Sequence, residues 1–113
     1  MNLKKKQIDD VVIFEMNGKI VGGPDATMLN DQVHELLEAG HKKFIVDLSG
    51  VEWMNSSGLG ILISGITTIR NAGGDLKLAA MTDKIKRLLA ITKLLGVFES
   101  FTSVDEAVAK YQQ

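Results

Sequence analysis

A continuous apolar run, Phe44-Ile45-Val46, lies at the centre of the segment Lys42 to Leu48 and constrains the fold strongly. A strand with one solvated face alternates apolar and polar residues, whereas a central parallel strand is covered on both faces and is apolar throughout. We therefore predict a central parallel strand over Lys42 to Leu48. Asp47, near the carboxyl end of this strand, is expected to act as a turn or cap carboxylate.

Strand and helix patterns alternate at short spacing along the chain, as they do in α/β proteins. Turn residues and caps separate the segments, among them Asp9-Asp10, Asn17-Gly18, Gly40 and a capping box at Ser103 to Glu106. We predict one α/β domain over residues 1–113, with a mixed sheet of four to five strands, an N-terminal hairpin and about four helices. The predicted strands are 3–8, 11–14, 42–48, 75–80 and 97–101, and the predicted helices are 25–39, from Ser57 to about 71, from Thr82 or Asp83 to Gly96, and from Ser103 to Tyr111.

The chain has no cysteine and only two histidines, His34 and His41. The missing cysteines exclude disulfides, thiol nucleophiles and cysteine-built metal sites, and two histidines are too few for a histidine-built metal site. Neither histidine has a serine, cysteine or carboxylate partner nearby in sequence, so we expect both to be solvated or locally hydrogen-bonded. We predict no metal and no cofactor.

The charge is balanced, with 13 basic and 14 acidic residues, and aromatic residues are few. This composition gives no basis for binding nucleic acid. No apolar run reaches transmembrane length, and the segment around Lys4-Lys5-Lys6 lacks the apolar core of a signal peptide, so we expect a cytoplasmic protein without membrane contact. The third predicted helix carries Lys84, Lys86, Arg87 and Lys93; we expect a solvated basic face, with contact to an acidic partner as the alternative.

The candidate functional site is the stretch Asn55-Ser56-Ser57-Gly58-Leu59-Gly60, which joins the central strand to the next helix. A helix start has unpaired backbone N–H groups and a partial positive charge, so it favours caps, anions and phosphorylated side chains. A simple N-cap accounts for the hydroxyl groups. It does not account for Gly58, Gly60 and Gly65, since each glycine costs a helix about 1 kcal/mol relative to alanine. Glycine there serves either close packing or an open surface that a partner approaches.

A helix start rich in serine and glycine suggests three chemistries: a hydrolase nucleophile, a nucleotide-binding loop and a phosphorylation switch. A hydrolase nucleophile is disfavoured because Met54, and not glycine, stands two residues before Ser56, and no histidine follows the later strands. A nucleotide-binding loop is disfavoured because Ile63 occupies the place of the third glycine and the P-loop Gly-Lys-Ser/Thr is missing. A phosphorylation switch fits better, since a phosphate adds about −1.5 to −2 charges that a helix N-terminus accommodates and a complementary protein surface does not. We predict no catalytic residue and no enzymatic activity.

The stretch Val46 to Leu62, centred on Met54 to Gly60, resembles the signature of the STAS-domain anti-sigma factor antagonists, whose usual form is Asp-Ser-Ser/Thr-Gly-Leu-Gly. The resemblance implies a single STAS domain over residues 1–113, with a STAS-like α/β fold. It continues over nearly the whole chain, in matching order, at Gly18, Gly73-Gly74, Asp75-Leu76, Lys86-Arg87-Leu88, Thr92-Lys93-Leu94 and Glu106-Ala107.

The resemblance implies a cytosolic switch protein. Its unphosphorylated form would bind an anti-sigma factor that is also a serine kinase, and so free the sigma factor. Phosphorylation by that kinase, with ATP held in the kinase's own pocket, would break the complex, and a serine phosphatase would reset it. By position in the motif, the phosphorylated serine falls on Ser56, while Ser57 supports the turn. The expected partner-binding residues are Gly22, Gly23, Asp25, Asn55, Ser56, Ser57, Gly58, Leu59 and Gly60.

Two positions depart from the family pattern. Asn55 replaces the acidic residue before the serine, and Gly18-Lys19-Ile20-Val21 stands where the family commonly has Gly-Glu-Leu-Asp. Asparagine caps a helix as well as aspartate does, so the local fold is expected to persist without the charge. Two alternatives follow: a STAS module that acts constitutively as a scaffold or transport accessory and is never phosphorylated, and a small α/β binding domain without a switch.

Overall fold

Five strands form one sheet in the order of the sequence, in a computed structural model that describes residues 1–113. The strands are β1 (Asn2–Ile8), β2 (Val11–Ile20), β3 (Lys43–Met54), β4 (Asp75–Ala79) and β5 (Glu99–Phe101). The helices are α1 (Pro24–Glu38), α2 (Ser56–Asn71), α3 (Asp83–Ile91) and α4 (Val104–Tyr111), with a 3₁₀ turn at Leu95–Val97. β1 and β2 form the antiparallel hairpin, and β2 to β5 are parallel. The predicted mixed α/β architecture is confirmed.

β3 is the central strand, as its continuous apolar run predicted. Phe44, Ile45 and Val46 are each at most 1% exposed, because both faces of the sheet are covered at this point. Phe44 faces the helices α1, α2 and α3 and stacks on Phe14 of β2, with ring centroids 6.0 Å apart. Ile45 faces α4 on the other side, where it packs with Val108. The sheet therefore carries three helices on one face and one on the other.

β2 and β3 are longer than predicted, because they pair beyond the irregular dipeptides Asn17-Gly18 and Ser49-Gly50. The prediction of a break at Asn17-Gly18 was wrong, and so was the end of β3 at Leu48. Asn17 lies opposite Gly50, and its side-chain amide fills the space that a side chain at position 50 would need. Pairing between β2 and β3 thus keeps residues of low strand propensity in extended conformation. The register of the pairing shifts at the irregular positions.

Other boundaries differ by a few residues. α3 ends at Ile91, before the predicted stop at Gly96, and Lys93 adopts a positive φ of 62° after it. β5 begins at Glu99, because the preceding residues form the 3₁₀ turn. Asp47 has the predicted local role, although it lies inside β3: its carboxylate accepts a hydrogen bond of 3.0 Å from the N–H of Ser49. None of the helices combines the length and apolarity needed to cross a lipid bilayer.

A buried lysine of the sheet contacts α4. The side chain of Lys77, on β4, is 6% exposed, and its ammonium lies 3.2 Å from the Asp75 carboxylate and 3.0 Å from that of Glu99. The same ammonium lies 4.5 Å from the centroid of the Tyr111 ring. The Tyr111 hydroxyl donates a hydrogen bond that is shared by two backbone carbonyl oxygens, that of Phe44 at 2.9 Å and that of Asp75 at 2.8 Å. A buried charge is tolerated when it is paired in this way.

Because of this environment, we expect the contribution of Tyr111 to the stability of the fold to depend on pH. Burial raises the pKa of Tyr111 above its ordinary value of 10.0, and the Asp75 carboxylate raises it further. Because the folded state holds this proton more tightly than the unfolded state, the contribution to stability is complete below pH 10 and is lost as the pH rises above it. Between about pH 9 and about pH 11, the free energy of unfolding should fall more steeply in wild type than in Tyr111→Phe, by up to about 1.4 kcal/mol per pH unit.

Urea unfolding of both proteins across this pH range measures how steeply the free energy of unfolding falls with pH in each. Tyr111 is the only tyrosine in the chain, so tyrosinate absorbance reports its ionisation directly in the folded protein. Equal slopes, or ionisation of the folded protein near pH 10, would show that the hydroxyl is not held as described.

Candidate functional site

The candidate motif lies at the edge of the sheet where β2 and β3 end side by side. Ile20, the last residue of β2, pairs with Met54, the last residue of β3. α1 begins at Pro24 and α2 at Ser56, so the two connections are only three residues and one residue long. Because the strands are parallel and adjacent, the residues that follow them are brought together. We call residues 21–25 and 55–60 the Ser56 surface.

Asn55 caps α2 and also joins it to the connection after β2. Its side-chain oxygen accepts a hydrogen bond of 2.8 Å from the N–H of Gly58. Its side-chain NH₂ donates to the carbonyl oxygen of Val21 at 3.4 Å, and its backbone N–H donates to that of Ile20 at 3.3 Å. An ionised aspartate could accept the first bond but could not donate the second. Asparagine therefore has a function here that aspartate lacks.

Two glycines allow the connections to touch. A side chain on Gly58 would overlap the carbonyl oxygen of Ile20, and one on Gly22 would place its β-carbon 2.8 Å from that of Ser57. Gly22 also has a φ of +95°, which residues with side chains rarely adopt. Gly60 differs, since it is exposed and nothing lies within 4 Å of the position a β-carbon would take. Packing explains Gly22 and Gly58, whereas Gly60 keeps the surface open.

The serines occupy the first two positions of α2, and both are exposed. The N–H of Leu59 donates to the carbonyl oxygen of Asn55 at 2.9 Å, and the N–H of Gly58 is capped by the Asn55 side chain. The N–H groups of Ser56 and Ser57 precede these bonds and so have no acceptor within the helix. The helix dipole adds to their partial positive charge, which makes the surroundings of Ser56 favourable for an anion.

The other predicted partner-binding residues divide into exposed and buried ones. Leu59 is 6% exposed and packs in the core. Asp25 is 8% exposed, and its carboxylate lies 3.4 Å from the amino group of Met1. No group of three or more histidine, cysteine or acidic side chains is placed to hold a metal ion. The solvent-facing residues of the Ser56 surface are thus Val21, Gly23, Pro24, Ser56, Ser57 and Gly60 with half-buried Asn55, and Gly22, Asp25, Gly58 and Leu59 are buried beneath them.

Two further residues lie near this site: Trp53, which the sequence analysis missed, and Val21, which it named only as a departure from the family pattern. Val21 is 47% exposed and supplies the carbonyl group that Asn55 binds, and Trp53 is 41% exposed at the end of β3. Glu52 and Trp53 are consecutive exposed residues, which breaks the alternation of the strand. The available signal was the position of Trp53, the only tryptophan, two residues before Asn55.

Comparison with known proteins identifies the family. Residues 2–107 match the model of the STAS domain. The chain belongs to the STAS domain family. A Thermotoga maritima protein provisionally named an anti-sigma factor antagonist is 29% identical over 109 residues, which cover 96% of each chain. The anti-sigma-B factor antagonist of Listeria monocytogenes is 28% identical over 103 residues, which cover 88% of this chain and 85% of that one.

Solved structures agree with this STAS assignment. A crystal structure of a Thermotoga maritima protein with the same provisional name has a TM-score of 0.87 at 27% identity, covering 98% of this chain and 95% of that one. The Bacillus anti-sigma factor antagonist SpoIIAA gives TM-scores of 0.74 unphosphorylated and 0.75 phosphorylated, at 11% and 13% identity. These alignments cover 97% of this chain and 96% and 99% of the two SpoIIAA chains, and they show the fold alone. The predicted STAS fold is confirmed, and the chain is a non-enzymatic regulatory domain.

The double role of Asn55 can be tested with two substitutions. Asn55→Ala removes both side-chain bonds and should lower the free energy of unfolding by about 1–2 kcal/mol. Asn55→Asp retains the cap, gains about 0.3–1 kcal/mol from the helix dipole and loses the bond to Val21, so its stability should stay within about 1 kcal/mol of wild type. Amide hydrogen exchange of residues 21–25 should quicken in both variants, and that of the first turn of α2 only in Asn55→Ala. Unchanged exchange of residues 21–25 in Asn55→Asp would contradict the second role.

The two glycines of the motif should respond oppositely to alanine. Gly58→Ala places a methyl group against the Ile20 carbonyl and should lower the free energy of unfolding by about 1–3 kcal/mol. Gly60→Ala meets no atom and should raise it by up to about 1 kcal/mol through helix propensity. Urea unfolding of the two variants under identical conditions measures both effects. A loss of stability in Gly60→Ala would show that packing also requires Gly60.

Proposed function

We propose that this STAS domain is an anti-sigma factor antagonist whose binding to an anti-sigma factor is controlled by phosphorylation of Ser56. The similarity of nearly the whole chain to proteins named as such antagonists supports the general role. The single observation that carries the switch is the placement of Ser56, which is exposed at the first position of α2 on a surface where Gly60 leaves open space.

Ser56 is a better phosphoacceptor than Ser57 because of their neighbours. The β-carbon of Ser57 packs against Gly22, so a phosphate on Ser57 would form beside the connection that follows β2. A kinase must also surround the accepting hydroxyl, and that connection blocks one side of Ser57. Ser56 is exposed at the first position of α2, and no Ser56 atom is among those nearest to a β-carbon placed on Gly22.

The fold can carry a phosphate on Ser56 at low cost. The phosphate would lie at the positive end of α2, beside two N–H groups that have no acceptor in the helix. Asn55 is neutral, so it does not repel the phosphate as the usual aspartate of the family would. The carboxylate of Asp25 is buried and close to the Met1 amino group. Phosphorylation should therefore leave the folded structure unchanged.

A bound partner would not tolerate the same phosphate. The Ser56 surface is nearly bare, with Gly23, Gly60 and the exposed apolar side chain of Val21 around the serines. A partner that covers it would bury about −1.5 to −2 additional charges without a built counter-charge. Burying an unpaired ion costs several kcal/mol, enough to dissociate a complex of ordinary affinity.

The unphosphorylated protein binds an anti-sigma factor that is also a serine kinase, which releases the sigma factor in the cytoplasm. The kinase supplies ATP from its own site, and a serine phosphatase removes the phosphate. Exposed Val21, where the family commonly has aspartate, favours a partner surface that is apolar at this point.

A constitutive STAS scaffold or transport accessory is the alternative, and the departures at Asn55 and Val21 motivate it. The contact between these two residues explains the Asn55 departure structurally, because only asparagine makes both bonds. A phosphoacceptor is therefore compatible with the altered motif. The two functions differ in one measurable respect, which is whether charge on Ser56 changes partner binding.

Incubation with ATP and the serine-kinase anti-sigma factor of the same organism tests the switch. Mass spectrometry should find one phosphate, on Ser56, in wild type and in Ser57→Ala, and none in Ser56→Ala. Ser56→Ala should still bind the kinase, whereas Ser56→Glu should raise the Kd at least tenfold, or about 1.4 kcal/mol. Phosphate only at other residues would refute the assignment of Ser56. Equal binding of wild type and Ser56→Glu would favour the constitutive scaffold.

A further inference from the structure

Helix α3 carries two stripes of side chains: one is buried in the core, and the other is largely exposed and contacts the core through half-buried Leu88. Ile85 and Leu89 are 1% and 0% exposed and pack in the core. The second stripe recurs at steps of three and four residues, the spacing of one helix face. Ile91, at its end, is 72% exposed. The members of this second stripe are Lys84, Arg87, Leu88 and Ile91.

The second stripe forms one wall of a groove, and Trp53 at the end of β3 forms the other. The groove has a volume of about 200 Å³. An enclosed cavity of about 150 Å³ in another protein holds benzene, so this more open groove has room for the end of one large apolar side chain. We call it the Trp53 groove; its lining includes Trp53, Met54, Lys84, Arg87, Leu88 and Ile91.

The rim of the Trp53 groove is basic. Lys84 lies both in the groove and in an adjoining depression that Lys19 and Glu52 share with Trp53. Lys19, Lys84 and Arg87 form no ion pair with any carboxylate of the chain. The chain as a whole has a formal net charge of −1, so this positive excess is local. A local excess of unpaired charge beside an apolar groove selects partners of opposite charge.

We propose that the Trp53 groove binds an acidic amphipathic helix of a partner protein, with one large apolar side chain inserted between Trp53 and Ile91. Carboxylates of that helix face Lys84 and Arg87, since complementary potentials meet across specific interfaces. Tryptophan and arginine are among the residues most enriched at positions that dominate binding energy. The proposal does not rest on the role of Ser56.

Two other occupants fit the groove less well. A second copy of this chain in a twofold dimer would bring identical surfaces together and place Lys84 and Arg87 against their own symmetry mates. A lipid surface is bound by an amphipathic helix whose apolar face is inserted among the headgroups, whereas the apolar site beside α3 is concave. Charge and shape together favour a partner helix.

A random-peptide library displayed on phage and selected against this chain tests the proposal. The enriched peptides should carry net negative charge and large apolar residues spaced by three or four positions. A synthetic peptide of an enriched sequence should change the fluorescence of Trp53, the only tryptophan. Calorimetry should show the Kd rising at least tenfold in the double variant Lys84→Glu, Arg87→Glu, and likewise in Trp53→Ala.

A matched control is the double variant Lys86→Glu, Lys93→Glu. It makes the same change of charge outside the groove, and it should alter the Kd by less than about twofold. Ser56→Glu should bind the peptide as wild type does, which separates this proposal from the phosphorylation switch. Circular dichroism establishes that each variant keeps the fold.

Several outcomes would overturn the proposal. These are the absence of enriched peptides, enriched peptides without net negative charge, and affinity that is insensitive to Lys84→Glu, Arg87→Glu. Concentration-dependent dimerisation that this double variant abolishes would assign the groove to a second copy. Sedimentation with phosphatidylserine–phosphatidylcholine vesicles that Trp53→Ala abolishes would assign it to a lipid surface.

Discussion

The close contact of Gly58 with the carbonyl group of Ile20 is the constraint on which the Ser56 surface depends. It exists because β2 and β3 remain paired up to their last residues, Ile20 and Met54, in spite of the irregular positions between them. A shorter pairing would leave the two connections apart, and Asn55 could not reach Val21. The extension of the two strands therefore positions the site, although it lies among residues of poor strand propensity.

Local patterns were sufficient to predict most of the fold. The run Phe44 to Val46 identified the central strand, and the helical spacing of apolar residues identified the helices, because burial imposes these periods directly on the sequence. The break predicted at Asn17-Gly18 was wrong for a non-local reason. Asn17 fills the space above Gly50, a residue 33 positions away, and no local pattern reveals such a pairing.

The same distinction applies to the candidate site. The cap that Asn55 provides to Gly58 is a contact over three residues, so the type and spacing of residues predicted it. The bond from Asn55 to Val21 spans 34 residues and depends on the strand register. The sequence identified the basic residues of α3, yet it could not place Lys84 and Arg87 opposite Trp53, because that placement depends on how α3 packs beside β3.

Gly58 and Gly60 show how structure and function act on neighbouring positions of one helix. Alanine would suit the helix better at both positions. At Gly58 the packing against Ile20 forbids it, so stability alone accounts for glycine. At Gly60 a β-carbon would meet nothing, and the chain forgoes about 1 kcal/mol of helix stability without a gain inside the fold. A residue that lowers stability and makes no compensating contact within the fold is typical of a surface that another molecule must approach. Gly60 lies in the same exposed turn as Ser56, which is where the proposed partner would bind.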